Sequence, residues 1–165
     1  MSLIERIKEK KNGILRSWFQ EVLNSFPKQS QSLIASNADR FANPIGFTLN
    51  DAISEIFAAV VGDKSLEDIA PALERIIKLR AVQDKQNPGQ LVFLHALKKI
   101  VRKQCGAFEE GFAEVEALLA LEDRIDEIIL RALEIYVLSR EKILELQVNE
   151  IMNKTHTLRR LQGDP

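Results

Sequence analysis

Apolar residues recur along this chain at intervals of three, four and seven, the pattern of helices that each bury one face. Ile4, Ile7, Ile14, Leu15, Trp18, Val22 and Phe26 predict a first helix over residues 3–25. Asn12-Gly13 is expected to kink it or to end a first segment, and Phe26-Pro27 stops it, because the residue before a proline avoids the α region. A short helix is expected over 29–37. Asn43 can cap the next helix, with Pro44 at its first position, where a missing N–H costs nothing. That helix carries Leu49, Ile53, Ile56, Phe57 and Val60, and Gly62 closes it. Ser65 with Glu67 and Asp68 signals another start, and Pro71 predicts a kink or a fresh start before helix resumes to about residue 84. Asn87-Pro88 repeats the cap-plus-proline device. The helix expected over 88–105 is apolar around most of its girth (Leu91, Val92, Phe93, Leu94, Leu97, Ile100, Val101), which places it in the middle of the fold.

Between Gly111 and Gly163 there is neither glycine nor proline. Helical periodicity runs through residues 112–162, and one helix of that length would measure roughly 75 Å. A compact domain of this size is only about 40 Å across, so an unbroken last helix must project. From Val115 to Ile143 the apolar stripe is wide (Leu118, Ile125, Ile128, Ile129, Ala132, Leu133, Ile135, Tyr136) and reads as core-facing. From Leu144 it narrows to Leu144, Val148, Ile151, Thr155 and Leu158, a 4-3-4-3 spacing that reads as a coiled-coil seam, with Leu146 and Met152 off it. A projecting seam needs a partner helix, and a second copy of the chain is the simplest one. The alternative is a break near Glu122-Asp123 that folds the segment into a hairpin. The expected organisation is therefore a helical domain over 1–143 and a coiled-coil-like extension over 144–165.

Composition sharpens this picture. With 165 residues, 45% of them apolar, the chain has the size of one domain and can bury a core without staples. Leu, Ile, Ala, Glu and Lys dominate, so the fold class expected is all-α. The single cysteine, Cys105, excludes an internal disulfide and suits a reducing compartment. The 23 basic and 24 acidic residues nearly cancel, so no large field steers the chain to nucleic acid or to an anionic membrane. The longest apolar run is Ile56 to Val61, far short of the roughly 20 residues of a spanning helix. Leu3-Ile4 is followed at once by Glu5, Arg6 and Lys8, so no signal peptide is expected and the location expected is cytoplasmic.

Few residues carry chemistry. Neither His95 nor His156 has a Glu three positions earlier, which argues against a di-iron site, and two histidines with one cysteine argue against zinc. There is no Gly-x-Ser-x-Gly and no Gly-x-x-x-x-Gly-Lys loop. Lys98, Lys99, Arg102 and Lys103 form one basic turn and Lys8, Lys10 and Lys11 another, both without interleaved aromatics, so solvated helix faces are expected rather than nucleic-acid contacts. His95 recurs with Leu91, Lys98 and Arg102 on a polar edge, unlike the apolar setting of a haem ligand. No metal and no cofactor are expected. The sharpest local pattern is Leu94-His95-Ala96-Leu97-Lys98, which resembles the His-x-Leu-Lys core of histidine phosphotransfer bundles, although those follow the Lys with a small residue and here Lys99 stands there. The alternative function is thus phosphotransfer with His95 as acceptor.

Several segments together resemble the N-terminal domain family of the RsbRD type, a co-antagonist of the RsbT kinase in bacterial stress signalling. They are Arg16-Ser17-Trp18, Phe26-Pro27, Asp39-Arg40-Phe41-Ala42-Asn43-Pro44-Ile45-Gly46 and Ile77-Lys78-Leu79-Arg80-Ala81-Val82-Gln83-Asp84. Phe93-Leu94-His95-Ala96-Leu97-Lys98, Val101-Arg102, Arg124-Ile125-Asp126, Tyr136-Val137-Leu138-Ser139-Arg140-Glu141-Lys142 and Val148-Asn149-Glu150 complete the set. The resemblance implies a regulatory input module related to the non-haem globin-like domains of stressosome sensors. These dimerise, and their last helix leads into a STAS domain. Relatives also occur as stand-alone proteins near genes of dissimilatory sulfite reduction. The sequence ends at Pro165 without a STAS domain, so an unidentified output protein is expected as partner.

The expectation is therefore a globin-like helical bundle with a long projecting last helix, acting without catalysis as a homodimeric sensory or interaction module. Arg80 and Asp84 stand at i and i+4 and can pair on one helix face. Two readings stay open for Arg40, Arg80, Gln83 and Asp84: structural ties at helix junctions, or a polar cluster for an effector or an interface.

Overall fold

The structure, a computed structural model, describes residues 1–36, 41–81, 91–106, 111–161 and 163, at 80 and 81 the backbone alone. The described residues form an all-α bundle: α1 (Leu3–Glu9), α2 (Lys11–Asn24), α3 (Lys28–Ala35), α4 (Pro44–Val60), α5 (Ala70–Ala81), α6 (Val92–Cys105) and α7 (Phe112–Leu161), with a 3-10 turn at Glu67–Ile69.

Local chemistry sets most boundaries. Ser2 and Glu5 form a reciprocal capping box on α1. The first helix divides at Lys10 and not at Asn12-Gly13. Gly13 lies within α2, and α6 approaches it there: a Cβ on it would lie 3.0 Å from Gln104 Oε1. Gln104 also donates to the Gly13 carbonyl at 3.2 Å and to Ser17 Oγ at 2.9 Å. The glycine thus serves close packing, not a turn.

Asn43 and Pro44 open α4 as the sequence predicts. Asn43 accepts from the Gly46 N–H at 2.9 Å and donates to the Ile34 and Ser36 carbonyls at 2.8 and 2.6 Å. One buried side chain therefore caps α4 and ties it to the end of α3. A Cβ at position 46 would lie 2.4 Å from Asn43 Nδ2 and 2.5 Å from the Ile34 oxygen, so only glycine fits. At the far end Gly62 adopts φ +84°, the left-handed turn that closes α4. Pro71 falls in the first turn of α5, which starts afresh at Ala70.

The bundle is built around α4, which buries Leu49, Ala52, Ile53, Ile56, Phe57, Ala59 and Val60 and touches α2, α3, α5 and α7. α6 is not apolar around its girth in the way the sequence suggested. It buries Phe93, Leu94, Leu97, Val101 and Cys105 and exposes Val92, His95, Lys99, Arg102 and Lys103. The physical reason is that its apolar residues fall on the side facing α2 and α7, while Lys99 and Lys103 of its basic turn are exposed and Lys98 and Arg102 reach carboxylates on α7. Trp18, fully buried on α2, donates its indole N–H to the Phe93 carbonyl at 2.7 Å and stacks on the Phe93 ring at 6.2 Å, fastening α2 to the start of α6.

Candidate functional site

The feature that departs from an ordinary bundle is α7, 50 residues without a break, about 75 Å long. Its inner half is packed. Leu118, Leu121, Ile125, Ile128 and Ala132 are buried at heptad-like spacing, and Ala132 is the last buried residue. Ile135, Tyr136 and Ile143 are half-buried, and from Leu144 onward every described residue is exposed. Val115 and Leu133, grouped by the sequence with the core stripe, face solvent instead, 38% and 44% exposed.

Charged contacts fix the packed half in register. Lys98 Nζ lies 2.7 Å from Asp126 Oδ1. Arg102 meets Glu122 with two donors, at 2.5 and 2.6 Å, a bidentate fork. The two contacts step four residues down α6 and four residues up α7, so the helices run antiparallel. Arg6 reaches Glu114 at 2.5 Å, both largely buried. Arg124 points into the bundle, and its Nε donates to the Ala59 carbonyl at the end of α4 at 2.6 Å. These ties were not recognised from the sequence. The matching i and i+4 spacing of Lys98/Arg102 and Glu122/Asp126 was the one available signal.

A second stripe lies on the outside of α7. Leu130, Val137, Leu144, Ile151 and Leu158 stand seven residues apart and are 62%, 45%, 51%, 64% and 58% exposed. At about 100° per residue this row sits roughly 120° around the axis from the buried one. The seam at Leu144, Val148, Ile151, Thr155 and Leu158 therefore does not prolong the core stripe. It prolongs a separate outer stripe that starts at Leu130, alongside the folded domain.

Other sequence candidates fall as follows. Arg40, Gln83 and Asp84 lie outside the described residues, as does the Arg80 side chain, so the polar cluster is not placed. His95 is exposed and lines an open groove of about 280 Å³ between α2 and α6 with Glu21, Val92, Ala96, Lys99 and Ile100. Lys98, which follows His95 in the His-x-Leu-Lys pattern, is held by Asp126. Cys105 is buried, and burial pushes its thiol up from the usual range, the opposite of an activated nucleophile. Among the described residues no three His, Cys, Asp or Glu side chains gather where they could hold a metal ion. No helix among them is long and apolar enough to cross a membrane.

The described residues form a helical bundle whose last helix is packed as far as Ala132 and bare from Leu144. The family model of the RsbT co-antagonist protein rsbRD N-terminal domain matches residues 12–151, and the chain belongs to that family, a family of signalling domains. The matched span begins in α2 and ends within the bare part of α7. No curated protein and no solved structure matches the chain.

Proposed function

We propose that the chain is a non-enzymatic input module of bacterial signalling that works in the cytoplasm as a homodimer, with α7 as its output lever. The globin-like description of the bundle and a separate output protein belong to the same reading. The observation that carries it is the division of one continuous helix: packed and ion-paired as far as Ala132, bare from Leu144.

The bare segment contains Leu144, Leu146, Val148, Ile151, Met152, Leu158 and Leu161, each more than half exposed. A contiguous exposed apolar face of this kind marks an interaction site. Its seam of Leu144, Val148, Ile151, Thr155 and Leu158 has the a/d spacing of a two-stranded coil, and a symmetric pairing satisfies both copies at once. A signal that repacks the bundle would move α7 through Arg124, Lys98 and Arg102 as a small translation or rotation. The boundary between domain and lever falls at 143/144. Light scattering tests this: the expected mass is twice that of one chain as concentration rises, and a single-chain mass at the highest concentration overturns the dimer.

A further inference from the structure

We infer that two copies of the chain also meet through the outer face of α6 and α7, with the basic ridge of α6 in one copy laid on the acidic row of α7 in the other. This rests on the homodimer reading above and deepens it by naming where the folded domains touch.

α6 carries four cations, Lys98, Lys99, Arg102 and Lys103, and no acid. Lys98 and Arg102 are engaged by Asp126 and Glu122 of α7, which lies alongside. Lys99 and Lys103 stand about 100° further round the helix. Both are exposed, and no ion pair among the described residues engages them, Glu21 across the groove on α2 included. On α7, Glu122 and Asp126 mark the side that meets α6. About 50° on from them lie Leu119, Leu130 and Val137, which are 56%, 62% and 45% exposed. Roughly 50° further come Asp123, Glu127 and Glu134, exposed and in no ion pair among the described residues. The face therefore carries three strips side by side: a basic ridge on α6, an apolar strip, and an acidic row on α7.

A two-fold axis can lay such a face on its own copy in two ways. With the axis across the helices, acid meets acid and base meets base. With the axis along them, the acidic row meets the basic ridge on both sides and the apolar strips close between, the self-complementary pattern of a symmetric dimer. The heights agree as well. Lys98 is level with Asp126 and Arg102 with Glu122, in antiparallel helices. Asp123 of one copy therefore falls between the heights of Lys99 and Lys103 in the other, and Glu127 between those of His95 and Lys99. Glu134 and Glu141 continue the acidic row on the flank of α7 turned from the axis, so in this pairing no glutamate of the row faces its own copy. The apolar strip runs on into Leu144, Val148 and Ile151, so one axis serves the domain face and the bare end of α7 together. The bare seam spans only about two heptads, short of the three to four of a sustained coil, and the domain face supplies further contact.

Sedimentation equilibrium of the full chain at low ionic strength decides it, with two charge-reversed variants: Lys99→Glu/Lys103→Glu and Asp123→Lys/Glu127→Lys. All four positions are exposed, so the fold is kept. Each variant alone should self-associate about tenfold or more weakly than wild type, because both sides of the dimer then set like charges together. An equimolar mixture of the two should associate within about threefold of wild type, since every contact in the mixed dimer pairs opposite charges again. Kd values equal to wild type for both variants overturn this face and leave the homodimer standing on the bare end of α7. Weakened variants that do not recover on mixing overturn the face in the same way. A wild-type chain that stays monomeric at every concentration overturns both.

Discussion

Arg124, on α7, closes the C-terminal end of α4. Its Nε donates to the Ala59 carbonyl at 2.6 Å and a second guanidinium nitrogen lies 3.4 Å from the Lys64 carbonyl. The last carbonyls of a helix lack intrahelical partners, and a cation there also meets the negative end of the helix dipole. The contact joins the most buried helix of the bundle to the one that leaves it. Arg124→Ala should lower stability by about 1.5–3 kcal/mol, the range for a hydrogen bond to a charged group. Urea unfolding followed by circular dichroism measures this. Arg124→Lys should recover only part of the loss, because one ammonium cannot reproduce the two-nitrogen fork. A full recovery would reduce the contact to simple charge.

The Asn43 side chain makes three hydrogen bonds in a buried position. Asn43→Ala should cost about 2–4 kcal/mol, because the cap is lost and buried groups on two helices go unpaired. Asn43→Asp keeps the acceptor for the Gly46 N–H but sets a carboxylate against the Ile34 and Ser36 oxygens, so it should do no better than alanine. Gly46→Ala should cost about 1–3 kcal/mol by overpacking. Thermal unfolding of the three variants checks all of these, and a neutral Gly46→Ala would contradict the packing described.

Glu55 of α4 is held ionised below the usual carboxylate range, chiefly by its hydrogen bond from Lys64 and then by Arg75. A carboxyl depressed in the folded state adds stability that is complete above the unfolded value near 4.5 and is lost as pH falls through the folded value. Glu55→Gln should therefore be less stable than wild type at neutral pH, by less than about 1 kcal/mol because the group is partly exposed. The difference should shrink as pH falls below that value. A difference that is constant across this range would show that charge plays no part.

The sequence made some of this architecture readable and concealed the rest, for definite reasons. The Asn43-Pro44 start and the Gly62 stop of α4 are local chemistry, encoded within a few residues of where they act. The unbroken α7 follows from the absence of helix breakers, and the expected hairpin alternative at Glu122-Asp123 fails because both flanks of that pair pack on the same bundle. The one-sidedness of α6 was concealed because Val92 and Ile100 read as core residues, although Val92 lies on the surface. Gly13 looked like a break because nothing local reveals Gln104 approaching from α6. Arg124 is 65 residues from Ala59 and Arg102 is 20 from Glu122, distances at which periodicity is silent. The outer stripe of α7 was legible only from Leu144, since upstream its apolar members mix with those of the buried stripe and burial alone separates them. The motif residues Arg40, Arg80, Gln83 and Asp84 keep their sequence reading, because their side chains lie outside the described residues.

The proposed homodimer, read as two α7 helices side by side and parallel, is tested most directly by disulfide trapping. With Cys105 replaced by alanine, Ile151→Cys places a thiol in the seam and Asn153→Cys places one on the opposite side of the helix. In a parallel coil the two copies of position 151 face each other within the reach of a disulfide. Mild oxidation of dilute protein should give a covalent dimer from the Ile151→Cys chain and little from the Asn153→Cys chain. Equal trapping at both positions, or none at position 151, would contradict the account.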